Sequence, residues 1–100
     1  MSVMHFLDFL QTYLKEHGTI YTVRRYLYDE DKTVVFIPGV GGCKRELIKS
    51  GIVETDLTPY YSQSGFATSE GWWNKIKEIN SRVPTKQLHL YKVVVIRRLG

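Results

Sequence analysis

The stretch that most constrains the fold is Thr19 to Tyr28, TIYTVRRYLY, which has the composition of a β-strand but carries two adjacent arginines. Successive side chains of a strand point to opposite faces, so Arg24 and Arg25 cannot both lie on the polar face. An arginine among aromatic and β-branched residues can stack on rings and bind an oxyanion through its forked guanidinium. The strand is therefore predicted to form the floor of a binding cleft, and an edge strand whose arginines extend to water is the alternative.

The size and charge of the chain set the class of protein. Its 100 residues, 43% of them hydrophobic, predict a single domain over residues 1–100 with a limited core. The 14 Lys and Arg exceed the 10 Asp and Glu, and the net charge of +4 favours acidic partners such as nucleic acid. The N-terminal 18 residues lack a basic leader and a long apolar run. We therefore expect a cytoplasmic protein with no membrane association.

The only cysteine, Cys43, excludes an intramolecular disulfide and favours a reducing compartment. Two cations follow it and could lower the pKa of the thiol, but a buried structural thiol is the preferred interpretation. The three histidines, His5, His17 and His89, lack the spacing of a zinc site. We therefore expect no metal and no other cofactor.

The N-terminal half predicts a helix followed by a β-hairpin. Apolar residues recur at helical spacing at Val3, Phe6, Leu7, Leu10, Tyr13 and Leu14. Ser2 is the predicted N-cap of this helix, and Gly18 is suited to the left-handed residue that ends it. The strand from Thr19 then leads through an exposed acidic turn at residues 29–31 to a returning antiparallel strand, Lys32 to Ile37.

A glycine-rich loop after Pro38 is predicted to lead into a short helix, Cys43 to Lys49. Backbone N–H groups at that helix N-terminus, with Lys44 and Arg45 beside them, would suit one phosphate. A plain strand-to-helix turn needs the same glycines and is the preferred interpretation.

The C-terminal half predicts an irregular segment, a second helix and a strand. Leu57, Tyr60 and Tyr61 are expected to anchor the irregular segment of residues 52–64. Thr68 or Ser69 is the predicted cap of the helix. The buried face of the helix is expected to hold Trp72, Ile76 and Ile79, and its polar face Asn74, Lys75, Lys77 and Glu78. The strongest strand, with a central position in the sheet, is predicted at Leu88 to Arg98.

Two parts of the chain resemble a known family. The stretch GFATSEGWWNKIKEIN followed by LHLYKVVVI resembles the closing segment of ASCH domains, and GTIYTVRR at Gly18 to Arg25 resembles the region in which a glycine ends the first helix and a Thr-x-Arg strand begins. The resemblance implies an α+β, PUA-like fold. That fold is a small, curved, mostly antiparallel β-barrel with an N-terminal helix, a second helix before the last strand, and a cleft that faces RNA.

Within the resemblance, Thr22 and Arg24 match the Thr-x-Arg element that lines the cleft. Enzymatic relatives that hydrolyse acylated cytidine nucleosides have a lysine between the glycine and the threonine. Here the intervening residues are Thr19, Ile20 and Tyr21, one fewer than in those relatives. The resemblance therefore implies a domain without amidohydrolase activity.

These observations together predict a non-catalytic module that binds RNA or a nucleotide-like ligand. Arginine and lysine side chains would contact phosphates, and aromatic side chains would stack on bases. The expected binding residues are Tyr21, Thr22, Arg24, Arg25, Tyr26, Lys44, Arg45 and Trp73. Trp73 lies about 100° around the helix from Trp72, which predicts a position at the rim of the core.

Two further functions remain open from the sequence. The first is a hydrolase acting on nucleosides or RNA, with Thr22, Lys92 and Glu54 as candidate catalytic residues. The second is a protein-interaction domain that uses an exposed strand edge or the Trp73 surface, either with a partner or as a homodimer.

Overall fold

The computed structural model describes residues 2–29 and 33–99. In chain order, its regular elements are β1 (Ser2–Val3), α1 (Asp8–His17), β2 (Thr19–Arg24), β3 (Val34–Ile37), β4 (Gly41–Ser50), α2 (Ser69–Ile79) and β5 (His89–Arg98). The strands form one sheet in the order β1-β3-β4-β5-β2, in which only the β1–β3 pair is parallel. The predicted α+β class with two helices is confirmed. The predicted closed barrel is wrong, because β1 and β2 end the sheet at opposite edges and do not pair within the described chain.

The first helix is shorter than its apolar pattern suggests. Ser2 pairs with Val35 in the parallel β1–β3 ladder, so it cannot be the predicted N-cap, and the helix begins at Asp8. Its predicted end is confirmed. Gly18 adopts a left-handed conformation with φ 81° and donates its N–H to the carbonyl of Leu14, the usual way to end a helix with glycine.

The predicted hairpin of β2 with the next strand is wrong, because β2 pairs with β5 instead. Strand β2 also ends at Arg24, four residues earlier than the sequence suggests, and the following residues form a loop. The next strand, β3, begins at Val34. Lys32 and two residues of the predicted acidic turn, 30 and 31, lie outside the described residues.

The predicted helix at Cys43 to Lys49 is instead part of β4, the ten-residue strand between β3 and β5. A tight turn joins β3 to β4, and Gly41 is required just after it. Its φ is 128°, and a Cβ atom there would lie 2.1 Å from the backbone oxygen of Arg97. Lys44 and Arg45 therefore lie on a strand, and the prediction of a phosphate site at a helix N-terminus is wrong.

The two faces of the sheet support separate hydrophobic clusters. Ile20 of β2 belongs to the cluster that includes Leu14 of α1, and the alternate residues Tyr21 and Val23 pack on the cluster that includes α2. The first cluster contains Met4, Leu14, Ile20, Val35, Ile37, Val40, Cys43 and Val93. The second contains Ile52, Leu57, Trp72, Ile76, Leu88 and Leu90. Each fully buried aliphatic side chain contributes about 1.5–3 kcal/mol, so both helices are fixed to the sheet by several such contacts.

Helix α2 largely follows its prediction. The side chain of Thr68 accepts a hydrogen bond from the backbone N–H of Gly71 at 2.9 Å, which confirms it as the N-cap. Trp72 and Ile76 are buried as predicted, whereas Ile79 is 51% exposed. The preceding irregular segment is anchored by Leu57 and Tyr60, as expected, but its other predicted anchor, Tyr61, is exposed.

Candidate functional site

A cleft of about 450 Å³ lies between the segment before α1, the end of β2 and helix α2. Most of its lining is aromatic or aliphatic: Phe6, Leu7, Leu10, Val23, Tyr26, Tyr28, Phe66, Trp72, Ile76 and Ile79. Its polar lining consists of His5, Thr22, Arg24, Arg25, Lys75 and Asn80. Among the described lining residues there are three cations and no carboxylate. The cleft therefore suits a ligand that combines an apolar or aromatic body with a negative charge.

Arg24 is held at the floor of the cleft by three contacts. Its Nε donates to Oγ1 of Thr22 at 3.3 Å, and its Nη2 donates to the backbone oxygen of His5 at 2.7 Å. Its Cζ lies 4.5 Å from the centroid of the Phe6 ring, within cation–π range. The side chain therefore connects β2 to the segment that precedes α1, and its Nη1 makes no hydrogen bond to any described residue.

Burial lowers the pKa of Arg24, the like charge of Arg45 acts in the same direction, and Tyr28 opposes both. Arginine starts from so high a pKa that the guanidinium stays protonated at neutral pH. The floor of the cleft is thus a fixed positive charge that is only partly solvated, and a ligand anion would restore part of the lost solvation.

Two further cations, Arg25 and Lys75, lie at the rim of the cleft. Arg25 is exposed on the loop after β2, beside Tyr26, whose side chain is 66% exposed. Lys75 of α2 lies 3.6 Å from a carboxylate oxygen of Glu78, which is a weak surface ion pair. Asn80 donates its Nδ2 to the carbonyl of Ile76, so its Oδ1 is the acceptor that remains available.

The loop that carries Arg25 and Tyr26 is anchored by Tyr91 of β5. The Tyr91 hydroxyl accepts the N–H of Tyr28 at 2.9 Å and donates to the carbonyl of Tyr26 at 3.2 Å. The rings of Tyr28 and Tyr91 meet edge to face with centroids 5.4 Å apart. Arg45, 4% exposed, lies beneath them with its Cζ 3.5 Å from the centroid of Tyr28. Arg45 itself does not line the cleft.

The remaining predicted binding residues lie away from the cleft. Tyr21 points to the opposite face of the sheet from Thr22 and packs on Tyr60, with centroids 4.7 Å apart. Lys44 is exposed on β4. Trp73 is half-buried at the rim of the second core cluster, as its helical position predicts, and does not line the cleft. The structure therefore brings together Thr22, Arg24, Arg25 and Tyr26 and separates them from Tyr21, Lys44 and Trp73.

The three candidate catalytic residues do not converge. Thr22 lies opposite Tyr91 in the β2–β5 ladder, so the next residue, Lys92, points to the other face of the sheet. Glu54 is exposed in a 3₁₀ turn, Glu54–Leu57, and does not line the cleft. No shared position for a reacting atom lies between these three side chains.

Several cleft residues were not expected from the sequence. The sequence predicts Lys75 on the polar face of α2. However, Lys75 follows Trp72 by three positions and precedes Ile76, so on a helix it lies beside the buried face. His5 and Phe6 carried no such signal, because their contacts with Arg24 depend on how β1 places the segment before α1.

Cys43 is fully buried in the first core cluster. Burial raises the pKa of its thiol, and the positive charge of Arg98 only partly opposes this effect. The structure thus favours the buried structural thiol over the reactive one.

Within residues 2–29 and 33–99, no three His, Cys, Asp or Glu side chains are grouped closely enough to hold a metal ion. In the same ranges, no helix has the length and apolar content needed to cross a bilayer.

Comparisons of the chain with protein-family models, with curated proteins and with solved structures give no match. The candidate site is therefore identified from its geometry and chemistry alone.

Proposed function

We propose that this chain is a non-catalytic RNA-binding domain, which holds one nucleotide of an unpaired strand in the cleft between α1, β2 and α2. The observation that carries the proposal is the pairing of aromatic and aliphatic walls with Arg24, Arg25 and Lys75 in one cavity. A base offers a flat apolar face to such walls, and the adjoining phosphates offer negative charge to the cations.

The dimensions of the cleft support a single nucleotide. A volume of about 450 Å³ lies within the range of small-ligand sites and is too small for a double helix. Arg25 and Lys75, which line the cleft, would contact phosphates, and the exposed ring of Tyr26 would stack on the base. The available Oδ1 of Asn80 can accept a hydrogen bond from an amino group of the base.

The resemblance to ASCH domains supports the same proposal. In this view the curved core of a PUA-like fold is formed by the four neighbouring antiparallel strands of the sheet, β3, β4, β5 and β2. Helix α2 is then the helix before the last strand. Thr22 and Arg24, the two residues that match the Thr-x-Arg element, line the cleft, which supports the proposal.

Fluorescence anisotropy with a labelled single-stranded RNA, a hairpin and a duplex of the same length, at several salt concentrations, tests the proposal. We expect the single strand to bind tightest, with a slope of about −0.7 in log K against log salt for each phosphate contact. Arg25→Ala and Lys75→Ala should each weaken binding and reduce that slope by about 0.7. The control is Lys86→Ala, an exposed lysine remote from the cleft lining, which should leave both quantities close to their parent values.

Equal effects of all three substitutions would contradict the proposal, because they would indicate diffuse attraction between a basic protein and RNA. A slope near zero would contradict it as well. Dimerisation that depends on concentration, without RNA affinity, would favour the interaction domain. Turnover of a nucleoside would favour the hydrolase.

A further inference from the structure

We propose that Arg45 is a positioning residue, which holds the wall of the cleft in place through Tyr28 and does not contact the ligand itself. Its effect on ligand affinity rests on the function proposed above. Its effect on the loop does not, and the two can be measured separately.

The wall in question is the loop of residues 25–29, which follows β2 and has no regular structure. Arg25, Tyr26 and Tyr28 of this loop line the cleft. Arg25 and Tyr26 are exposed, so their own side chains contribute little to holding the loop in one conformation. A binding site built on such a loop needs an anchor elsewhere in the fold, because a mobile wall lowers affinity by the fraction of time spent in other conformations.

Two side chains of the sheet, Tyr91 and Arg45, supply that anchor by contacting the loop at Tyr28. Tyr91 of β5 uses its hydroxyl for two backbone groups of the loop, as acceptor for the N–H of Tyr28 and as donor to the carbonyl of Tyr26. Arg45 of β4 lies against the face of the Tyr28 ring at 3.5 Å and 5.8 Å from the centroid of Tyr91. The loop is thereby held at its backbone and at the half-buried ring of Tyr28.

The chemistry of this stack requires arginine in particular. A guanidinium is planar, delocalised and weakly hydrated, so it can be buried flat against an aromatic ring. The ammonium of lysine is compact and strongly hydrated, so Arg45→Lys keeps the positive charge but loses the flat contact. That substitution therefore separates positioning from simple attraction of phosphate.

The test compares Arg45→Lys and Tyr91→Phe with Lys44→Met, a substitution at the neighbouring exposed position. The first readout is amide hydrogen exchange by NMR. In both test variants we expect the Tyr28 amide to exchange roughly five- to tenfold faster, the factor expected from losing one hydrogen bond or contact of this kind. Amides in the centre of β5 should keep their parent rates, because a general loss of stability would accelerate all of them together. Trypsin should cleave the Arg25–Tyr26 bond faster by a similar factor.

The second readout is binding of the single-stranded RNA. We expect Arg45→Lys and Tyr91→Phe to weaken binding severalfold while the salt slope stays at the parent value, because no phosphate contact is removed. Lys44→Met should change neither Tyr28 exchange nor this anchoring of the loop.

Unchanged Tyr28 exchange in Arg45→Lys would overturn the proposal. A drop of about 0.7 in the salt slope of Arg45→Met would overturn it as well, because loss of the charge would then have removed a phosphate contact. If Arg45→Lys does not fold, Tyr28→Leu decides in its place, because it removes the ring that Arg45 contacts and leaves the backbone hydrogen bonds to Tyr91 intact. Faster Tyr28 exchange in a protein whose parent form binds no RNA would leave the anchor standing and remove the proposed function.

Discussion

Replacing Arg24 by methionine should destabilise the fold, although the residue lies in the candidate binding site. Methionine keeps an aliphatic stem of similar length but removes the guanidinium. The change therefore deletes the hydrogen bonds to Thr22 and to the carbonyl of His5, together with the contact with the Phe6 ring. Because these contacts join β2 to the segment before α1, their loss should loosen that junction.

The size of the effect follows from the geometry. A hydrogen bond from a charged donor contributes about 1.5–3 kcal/mol, and the low end applies here because the bond to His5 is exposed to solvent. The cation–π contact adds about 0.5 kcal/mol at a partly exposed position. The bond to Thr22 is long at 3.3 Å and adds little. We expect a loss of about 2 kcal/mol, equivalent to a fall in Tm of roughly 10 °C for a chain of this size.

Thermal and urea unfolding followed by circular dichroism measure this loss, and the neighbouring arginine provides the matched control. Arg25 is exposed, so Arg25→Met should change the free energy of unfolding by no more than about 0.5 kcal/mol. Equal Tm values for the two variants would refute the reasoning, because they would mean that the contacts of Arg24 contribute no net stability. If the difference is found, reduced RNA binding by an Arg24 variant must be corrected for unfolded protein, and Arg25 becomes the better probe of the site.

Three further outcomes test other parts of the structure. Thr68→Ala should lower the free energy of unfolding by about 1 kcal/mol in urea, through loss of the N-cap bond, while Thr58→Ala, at an exposed position, should have little effect. Cys43 should react with a thiol reagent far more slowly in the native protein than in urea, since it is buried with a raised pKa, and immediate native labelling would contradict its placement. The hydrogen bond from Lys49 lowers the pKa of Asp56, so this carboxylate stabilises the fold above its ordinary pKa and loses that contribution as the pH falls through the lowered value. Urea unfolding at pH 6 and at pH 3 should therefore show a smaller acid-induced loss in Lys49→Met than in the parent, and equal losses would argue against the pair.

The elements that were predicted correctly are those whose signals are local. Each of these signals depends on residues within a dozen consecutive positions. They are the cap residue and the buried face of α2, the glycine that ends α1, and the apolar run of β5. Strand β4 was not predicted, because its central residues, Lys44 to Ile48, have good helix propensity and follow glycines that also suit a helix start. Pairing with β3 on one side and β5 on the other satisfies the backbone of β4, and this tertiary context overrides local preference.

The predicted residues that line the cleft all lie within the stretch Thr19 to Tyr28. The strand pattern places one of the two arginines toward the apolar side, the resemblance implies a cleft position for Thr22 and Arg24, and both of these residues line the cleft. The burial of Arg45 was not foreseeable, because the rings that cover it come from Tyr28 and Tyr91, which are 63 positions apart. No local pattern encodes a contact of that separation.

The position of β5 in the sheet has a consequence for how the chain folds. This strand is the last of the described strands along the sequence, yet it lies between β4 and β2. Until residues 89–98 have been synthesised, β2 therefore lacks its partner in the sheet, and β4 is paired with β3 alone. The hydroxyl of Tyr91 that anchors the loop after β2 bonds to Tyr26, 65 positions earlier. Closing such long loops costs entropy before the contacts repay it, which slows folding. On the ribosome, β2 and α1 would therefore wait with an unpaired edge and an uncovered apolar face until the final strand arrives, and the cleft would be assembled only after that step.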